Sequence, residues 1–271
     1  MSFIRDFSDT QIQRMAGDNK ALFDMLKADI LNGDVFPAVR KNELHFYYMG
    51  GCLYKFVGGR FTRDKNFEKF GVDKSLSEYD NAKRQIEIKF ANNRGKDKER
   101  RLLSALNKHT FDSAYGGDVV VLDIEVNLNG TVGGGKKCDL VLLNKSTDEI
   151  MFVEGKVFSD SRVNVAVSFT PEVIEQVNTY TYALKEQNQN ILVQYGIHID
   201  IINRIFGTSF RAPKRLIEPC KLLVYGTPLE RTKNGEYTVS KINEELGASN
   251  VFWVGMEQRP PLDDIWRALT L

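Results

Sequence analysis

The sequence predicts an α/β protein. Three observations carry that expectation. Apolar, β-rich segments between residues 119 and 157 are separated by short polar turns. Apolar residues recur at helical spacing on both sides of that series. Further strand-like segments, CKLLVYGT and NVFWVG, follow the second helical region.

Taken in order, residues 9–31 read as two short helices broken near Gly17, with Leu22, Met25, Leu26 and Ile30 at helical spacing. ELHFYYMGGCLYKFVGG then places two aromatic-rich runs around Gly50-Gly51, the signature of a tight hairpin. Its rings (His45, Phe46, Tyr47, Tyr48, Tyr54, Phe56) suit stacking on bases, and equally the packing of a small core. Residues 59–75 read as loop. This divides the chain into an N-terminal accessory module of helices and hairpin, 1–75, and a larger domain, 76–271. Residues 76–110 are helical, with a break at Asn92-Asn93-Arg94-Gly95.

After Gly116-Gly117 the period changes from helical to two. VVVLDIEVNLN is a strand, GTVGGGKK a loop, CDLVLLN a second strand, Asn144 to Asp148 a turn, and EIMFVEGKVF a third strand. Residues 159–170 form a loop. Thr170 as N-cap and Pro171 at the first helical position open a helix to about Gln189. A further helix is expected over 194–206, then the strands CKLLVYGT and NVFWVG, and LDDIWRAL as a short closing helix.

Of the 271 residues, 42% are hydrophobic and 27% charged, which suits a globular chain with a sizeable core. No apolar stretch approaches the roughly 20 residues of a membrane span, so no membrane partner is expected. MSFIRDFSDTQ lacks the apolar region of a secretory signal, and Cys52, Cys138 and Cys220 are widely spaced. A reducing, cytoplasmic location is expected. The oligomeric state stays open, a homo-oligomer included.

Several motifs are decoys. Gly130 to Lys136 matches G-x-x-x-x-G-K, but Lys137 stands where a phosphate loop needs Ser or Thr, and a strand follows instead of a helix. His45, His109 and His198 lack metal-ligand spacing, and no G-x-S-x-G is present.

The informative segment is KKCDLVLLNKSTDEIMFVEGKV. Glu154 and Lys156 are two apart on one strand and point the same way. The short turn before them makes an antiparallel hairpin that brings Asp139 beside the pair. Charges inside an apolar strand are costly unless paired or metal-bound. A structural ion pair meets that condition. So does a site for phosphodiester hydrolysis, where magnesium takes one or two carboxylates and keeps several waters.

Asp139 followed by Glu154-Gly155-Lys156 resembles the D…(D/E)-x-K core of the PD-(D/E)XK nuclease superfamily. Over roughly residues 85–226, the order helix, three strands, helix, strand is similar to that superfamily's core. Gln176 and Tyr180, one helical turn apart, are similar to the Q-x-x-x-Y motif of its exonuclease-like members. Two positions depart from the pattern: Cys138 stands in place of proline, and Gly155 fills the middle of E-x-K.

The resemblance implies a restriction-endonuclease-like core with a mixed central sheet flanked by helices, and a nuclease using Mg2+ or Mn2+, with DNA ahead of RNA as substrate. Asp139 and Glu154 would bind metal, Lys156 would position the attacking water, and Gln176 and Tyr180 would hold Lys156 or a phosphate. Glu99, with Glu87 second, or Glu125 would support the metal. A catalytically inactive nucleic-acid-binding or assembly module on the same fold is the alternative.

Between Lys83 and Lys108 nine basic residues face three acidic ones, although the whole chain carries only +1. Arg94, Lys96, Lys98, Arg100 and Arg101 are therefore candidates for phosphate contacts, as are Lys136 and Lys137. A solvated helix face explains the same charge run.

Overall fold

The structure, a computed structural model, describes residues 3–64, 73, 75–91, 95–128, 137–226, 232–255 and 258–271. It is α/β with two sheets, one of them mixed. The chain forms two compact units: Ile4–Gly116 with Val193–Ala212, and Met1–Phe3 with Gly117–Leu192 and Pro213–Leu271. Among the described residues, no helix is long and apolar enough to cross a membrane.

The first unit opens with α1 (Asp9–Ala16) and α2 (Lys20–Leu31). Ser8 and Gln11 form a capping box at the start of α1, each side chain bonding the other's backbone N–H. A four-stranded antiparallel meander follows: β1 (Val35–Arg40), β2 (Glu43–Tyr48), β3 (Gly51–Val57) and β4 (Arg60–Arg63). Tyr48 pairs with Gly51, so the β2–β3 turn is Met49-Gly50, one residue earlier than Gly50-Gly51. Both turn residues have positive φ, 50° and 82°, as a type I′ hairpin requires.

Next come α3 (Glu78–Phe90), α4 (Gly95–Ser104) and a 3-10 turn, Ala105–His109. The expected boundary at residues 75–76 does not separate compact units. The reason is the buried face of α3: Tyr79 stacks on Tyr54 of β3 with centroids 6.2 Å apart, and Gln85 accepts a hydrogen bond from Arg63 of β4. Phe46, Tyr47, Tyr54 and Phe56 are buried, so four of the six hairpin rings pack within this unit. Phe56 and Phe61 meet edge to face at 5.0 Å.

The second unit is built on a five-stranded mixed sheet in chain order: β5 (Val119–Asn127), β6 (Lys137–Asn144), β7 (Glu149–Val157), β8 (Arg215–Tyr225) and β9 (Val251–Val254). β5, β6 and β7 pair antiparallel, whereas β8 joins β7, and β9 joins β8, in parallel. β7 is the middle strand and is buried along all but its first residue.

Between β7 and β8 runs α5 (Glu172–Phe206), one helix of 35 residues where two were expected. Its first part, to Leu192, belongs to this unit. The unit closes with α6 (Lys233–Leu246) and α7 (Leu262–Ala268). Asp263 of α7 accepts hydrogen bonds from the N–H groups of Asp118 and Val119, fixing the start of β5.

Candidate active site

The β6–β7 turn determines which side chains meet. Asn144 Oδ1 accepts from the N–H groups of Ser146 and Thr147 and from the Ser146 hydroxyl, and Asp148 adopts φ 57°. That turn sets the register Leu140↔Val153, and one step further along the ladder Asp139 faces Glu154. Opposed residues of an antiparallel pair share a face, and Lys156 lies on it too, two positions from Glu154.

Lys156 is 2% exposed, Glu154 1% and Asp139 17%. The Lys156 ammonium donates directly to Glu154 Oε1, donates to the Gly155 carbonyl at 2.8 Å, and lies 3.7 Å from Asp139 Oδ2. Asp139 Oδ2 in turn accepts from the Gly155 N–H at 2.9 Å. Gly155 thus offers both backbone groups to the side chains beside it.

The first turns of α5 close this face. Gln176 Nε2 donates to Glu154 Oε1 at 2.6 Å and to the Tyr180 hydroxyl at 3.0 Å. The expectation was that this pair would hold Lys156 or a phosphate. The hydrogen bond shown runs to Glu154, the carboxylate that Lys156 also holds. Burial, reinforced by the Glu154 charge, pushes the Tyr180 phenol well above its usual pKa, so it stays neutral.

Burial also raises the Asp139 pKa. Lys156 and the Gly155 N–H pull it down, and Glu125 adds to the rise. Two carboxylates against one ammonium leave an excess negative charge in a poorly solvated place. Their hard oxygens suit a magnesium-type cation, whose field would offset that excess.

Three further acids, Glu125, Glu99 and Glu87, are expected from the sequence to support the metal. Glu125 of β5 is opposite Asp139 by register, has φ 50°, and lies 3.4 Å from Lys137 Nζ. Among the described residues, no group of three or more His, Cys, Asp or Glu side chains is arranged to hold a metal, so Glu125 does not complete a three-acid cage. Glu99 belongs to the other compact unit, where it is buried on α4. Glu87 is also in that unit and accepts a hydrogen bond from the Tyr48 hydroxyl at 2.6 Å.

Lys98, Arg100 and Arg101 lie on α4 of that same unit, Arg100 with its guanidinium 5.8 Å from the Phe90 ring centroid. Arg94 and Lys136 fall outside the described residues, as does the Lys96 side chain. Lys137 is at the start of β6 and half exposed.

No family model matches the chain, and neither a curated protein nor a solved structure is similar to it.

Sequence reasoning passed over Asp160 and Arg162, in the loop after β7. Arg162 grips Asp160 with two nitrogens, at 3.0 and 2.5 Å. Burial would raise the Asp160 pKa, but this fork and the Arg162 N–H hold it below the ordinary carboxylate value. The Arg162 charge reaches Asp139 and the Lys156 charge reaches Asp160, so this pair belongs to the site's electrostatics. A loop residue has no periodicity, and nothing in the spacing singles it out.

Proposed function

We propose that this protein is a metal-dependent nuclease with a restriction-endonuclease-like core, hydrolysing phosphodiester bonds in nucleic acid, DNA ahead of RNA, in a reducing cytoplasmic setting. The observation that carries the reading is the convergence of Asp139, Glu154 and Lys156 on one face of the β6–β7 hairpin, with Gln176 fastened to Glu154.

Asp139 and Glu154 are the residues that would hold Mg2+ or Mn2+. Bound there, the ion would supply Lewis-acid polarisation of a phosphate oxygen and a water of lowered pKa. Lys156 pairs with Glu154 and holds its carboxylate in place, and its positive charge is available to the negative charge that develops at phosphorus. Gln176 fixes the orientation of the Glu154 carboxylate, and Tyr180, held neutral, fixes Gln176. Arg162, paired with Asp160, adds a weaker positive influence on Asp139.

One observation favours a non-catalytic reading, which includes an inactive nucleic-acid-binding or assembly module on the same fold: the Glu154–Lys156 pair is almost wholly buried, as a purely structural ion pair would be.

Cleavage of end-labelled DNA and RNA decides between them. Activity should require Mg2+ or Mn2+, stop in chelator, and fall about a hundredfold or more in Asp139→Asn. A protein that binds DNA but never cuts it with either metal, or an Asp139→Asn variant as active as the parent, would sink the nuclease reading.

A further inference from the structure

The unit built on the β1–β4 meander contains a cleft of about 310 Å³ that the proposed chemistry does not use. Phe36, Tyr47 and Tyr48 line it from the sheet, and Arg101, Asn107 and Lys108 from α4 and the 3-10 turn.

Two glycines determine its shape. Gly33 and Gly50 both line the cleft and both have positive φ, 78° and 82°. A Cβ on Gly33 would lie 2.1 Å from the Lys108 carbonyl oxygen, and one on Gly50 would lie 2.9 Å from Arg100 Cβ. The turns before β1 and after β2 therefore press directly against the 100–108 segment. Packing at those two points leaves the space between as a preformed hollow.

The lining has a definite chemical character. Asn107 is 8% exposed, and its Oδ1 is buried with no hydrogen-bond partner among the described residues. Such an orphaned acceptor normally costs stability, so a ligand donor is the natural complement. Arg101 and Lys108 are exposed and carry no ion pair among the described residues. Asp34, also exposed, stands at the same cleft as an acceptor.

A bare anion would use the two cations and nothing else. An apolar ligand would strand both cations and the amide. One ligand class uses every feature: a planar base among the aromatic side chains, its edge read by the Asn107 amide, a phosphate on Arg101 and Lys108, and a sugar hydroxyl donating to Asp34. The volume sits at the lower end for small-ligand pockets, room for one nucleotide and not for a duplex. We propose that this cleft binds a single phosphorylated nucleoside, either a free nucleotide or the phosphorylated end of a strand. The proposal does not rest on the nuclease reading.

Calorimetric titration of the full chain in chelator, with adenosine 5′-monophosphate, adenosine and inorganic phosphate, tests it. Adenosine monophosphate should saturate one site, about tenfold or more tighter than either fragment. The double variant Arg101→Ala, Lys108→Ala should weaken it by a similar factor at an unchanged melting temperature, since both side chains are exposed. Asn107→Ala should narrow the differences in affinity among the four nucleoside monophosphates. A 5′-phosphorylated oligonucleotide separates the sources: tighter binding than the monophosphate means a strand end, weaker binding a free nucleotide. The proposal is overturned by an absence of saturable binding, by inorganic phosphate binding as tightly as the nucleotide, or by an unchanged affinity in the double variant.

Discussion

Lys156 satisfies a buried carboxylate and, in the proposed chemistry, would also offer charge to a substrate, so its removal has two effects that need separating. Glu154 is 1% exposed and takes its ion pair from Lys156. Lys156→Met should therefore destabilise the fold by about 3–5 kcal/mol in urea unfolding, because it leaves a carboxylate stranded in the interior. Replacing both, Glu154→Leu with Lys156→Met, should restore most of that loss. A single variant within about 1 kcal/mol of the parent would show that Lys156 does not hold Glu154. Activity losses in Lys156 variants should be read only where the folded fraction is shown to be complete.

His45 offers a pH signature of the β1–β4 unit. Burial lowers its pKa from 6.5 to about 4, against the opposing pull of Glu43, whose carboxylate lies 2.6 Å away. Below about pH 6.5 the unfolded chain takes up a proton that the folded chain refuses until about pH 4. The stability contributed by neutral His45 is whole above that window and is lost as pH falls through it, by about 3 kcal/mol at most. His45→Gln should lose less stability than the parent between pH 7 and 4 in chemical denaturation. Parallel curves would mean that His45 is not buried neutral.

At the level of turns and strands, glycines separate conformational strain from steric contact. Gly58 and Gly33 both have positive φ, but a Cβ on Gly58 meets nothing within 4 Å, whereas one on Gly33 meets the Lys108 carbonyl. Gly58→Ala should cost about 1–2 kcal/mol, the strain of the left-handed conformation alone. Gly33→Ala should cost clearly more, since backbone must move. Equal melting temperatures in the two variants would show that the turn before β1 does not pack on the 3-10 turn.

The same elements show what a sequence discloses. β5, β6 and β7 are legible because apolar, β-rich runs are bounded by polar turn segments, and the four-residue turn between β6 and β7 sets their register. The meeting of Asp139, Glu154 and Lys156 follows from that register. β1 and β4 are not legible: β1 contains Pro37 and sits at the sheet edge, and β4 is only four residues long after Gly58-Gly59. α6 carries Gly235, Thr238 and Val239, weak helix formers that packing overrides. α5 runs unbroken through the polar stretch 185–190, because polar residues on a helical face do not end a helix. The link from Gln176 to Glu154 depends on side-chain geometry that no spacing encodes.

For the molecule as a whole, a cation held by Asp139 and Glu154 would bind the folded chain and not the unfolded one. Magnesium at about a hundred times its dissociation constant should then add about 2.7 kcal/mol of stability, seen as a rise in melting temperature that Asp139→Asn abolishes. The same rise in the variant would place the ion elsewhere.

The strand order also carries a consequence in time. β5, β6 and β7 join neighbours through local connections, whereas β8 must wait for the whole of α5 before it can pair with β7 in parallel. Short-range pairings close ahead of long-range ones because less chain entropy is lost. Glu154 and Lys156 share one strand and Asp139 comes from the next hairpin arm, so the three charges are brought together in the fast step. When the helix bearing Gln176 later settles over them, it covers carboxylates that already have the Lys156 ammonium within reach, and the chain never has to dehydrate a lone carboxylate on its way to the native state.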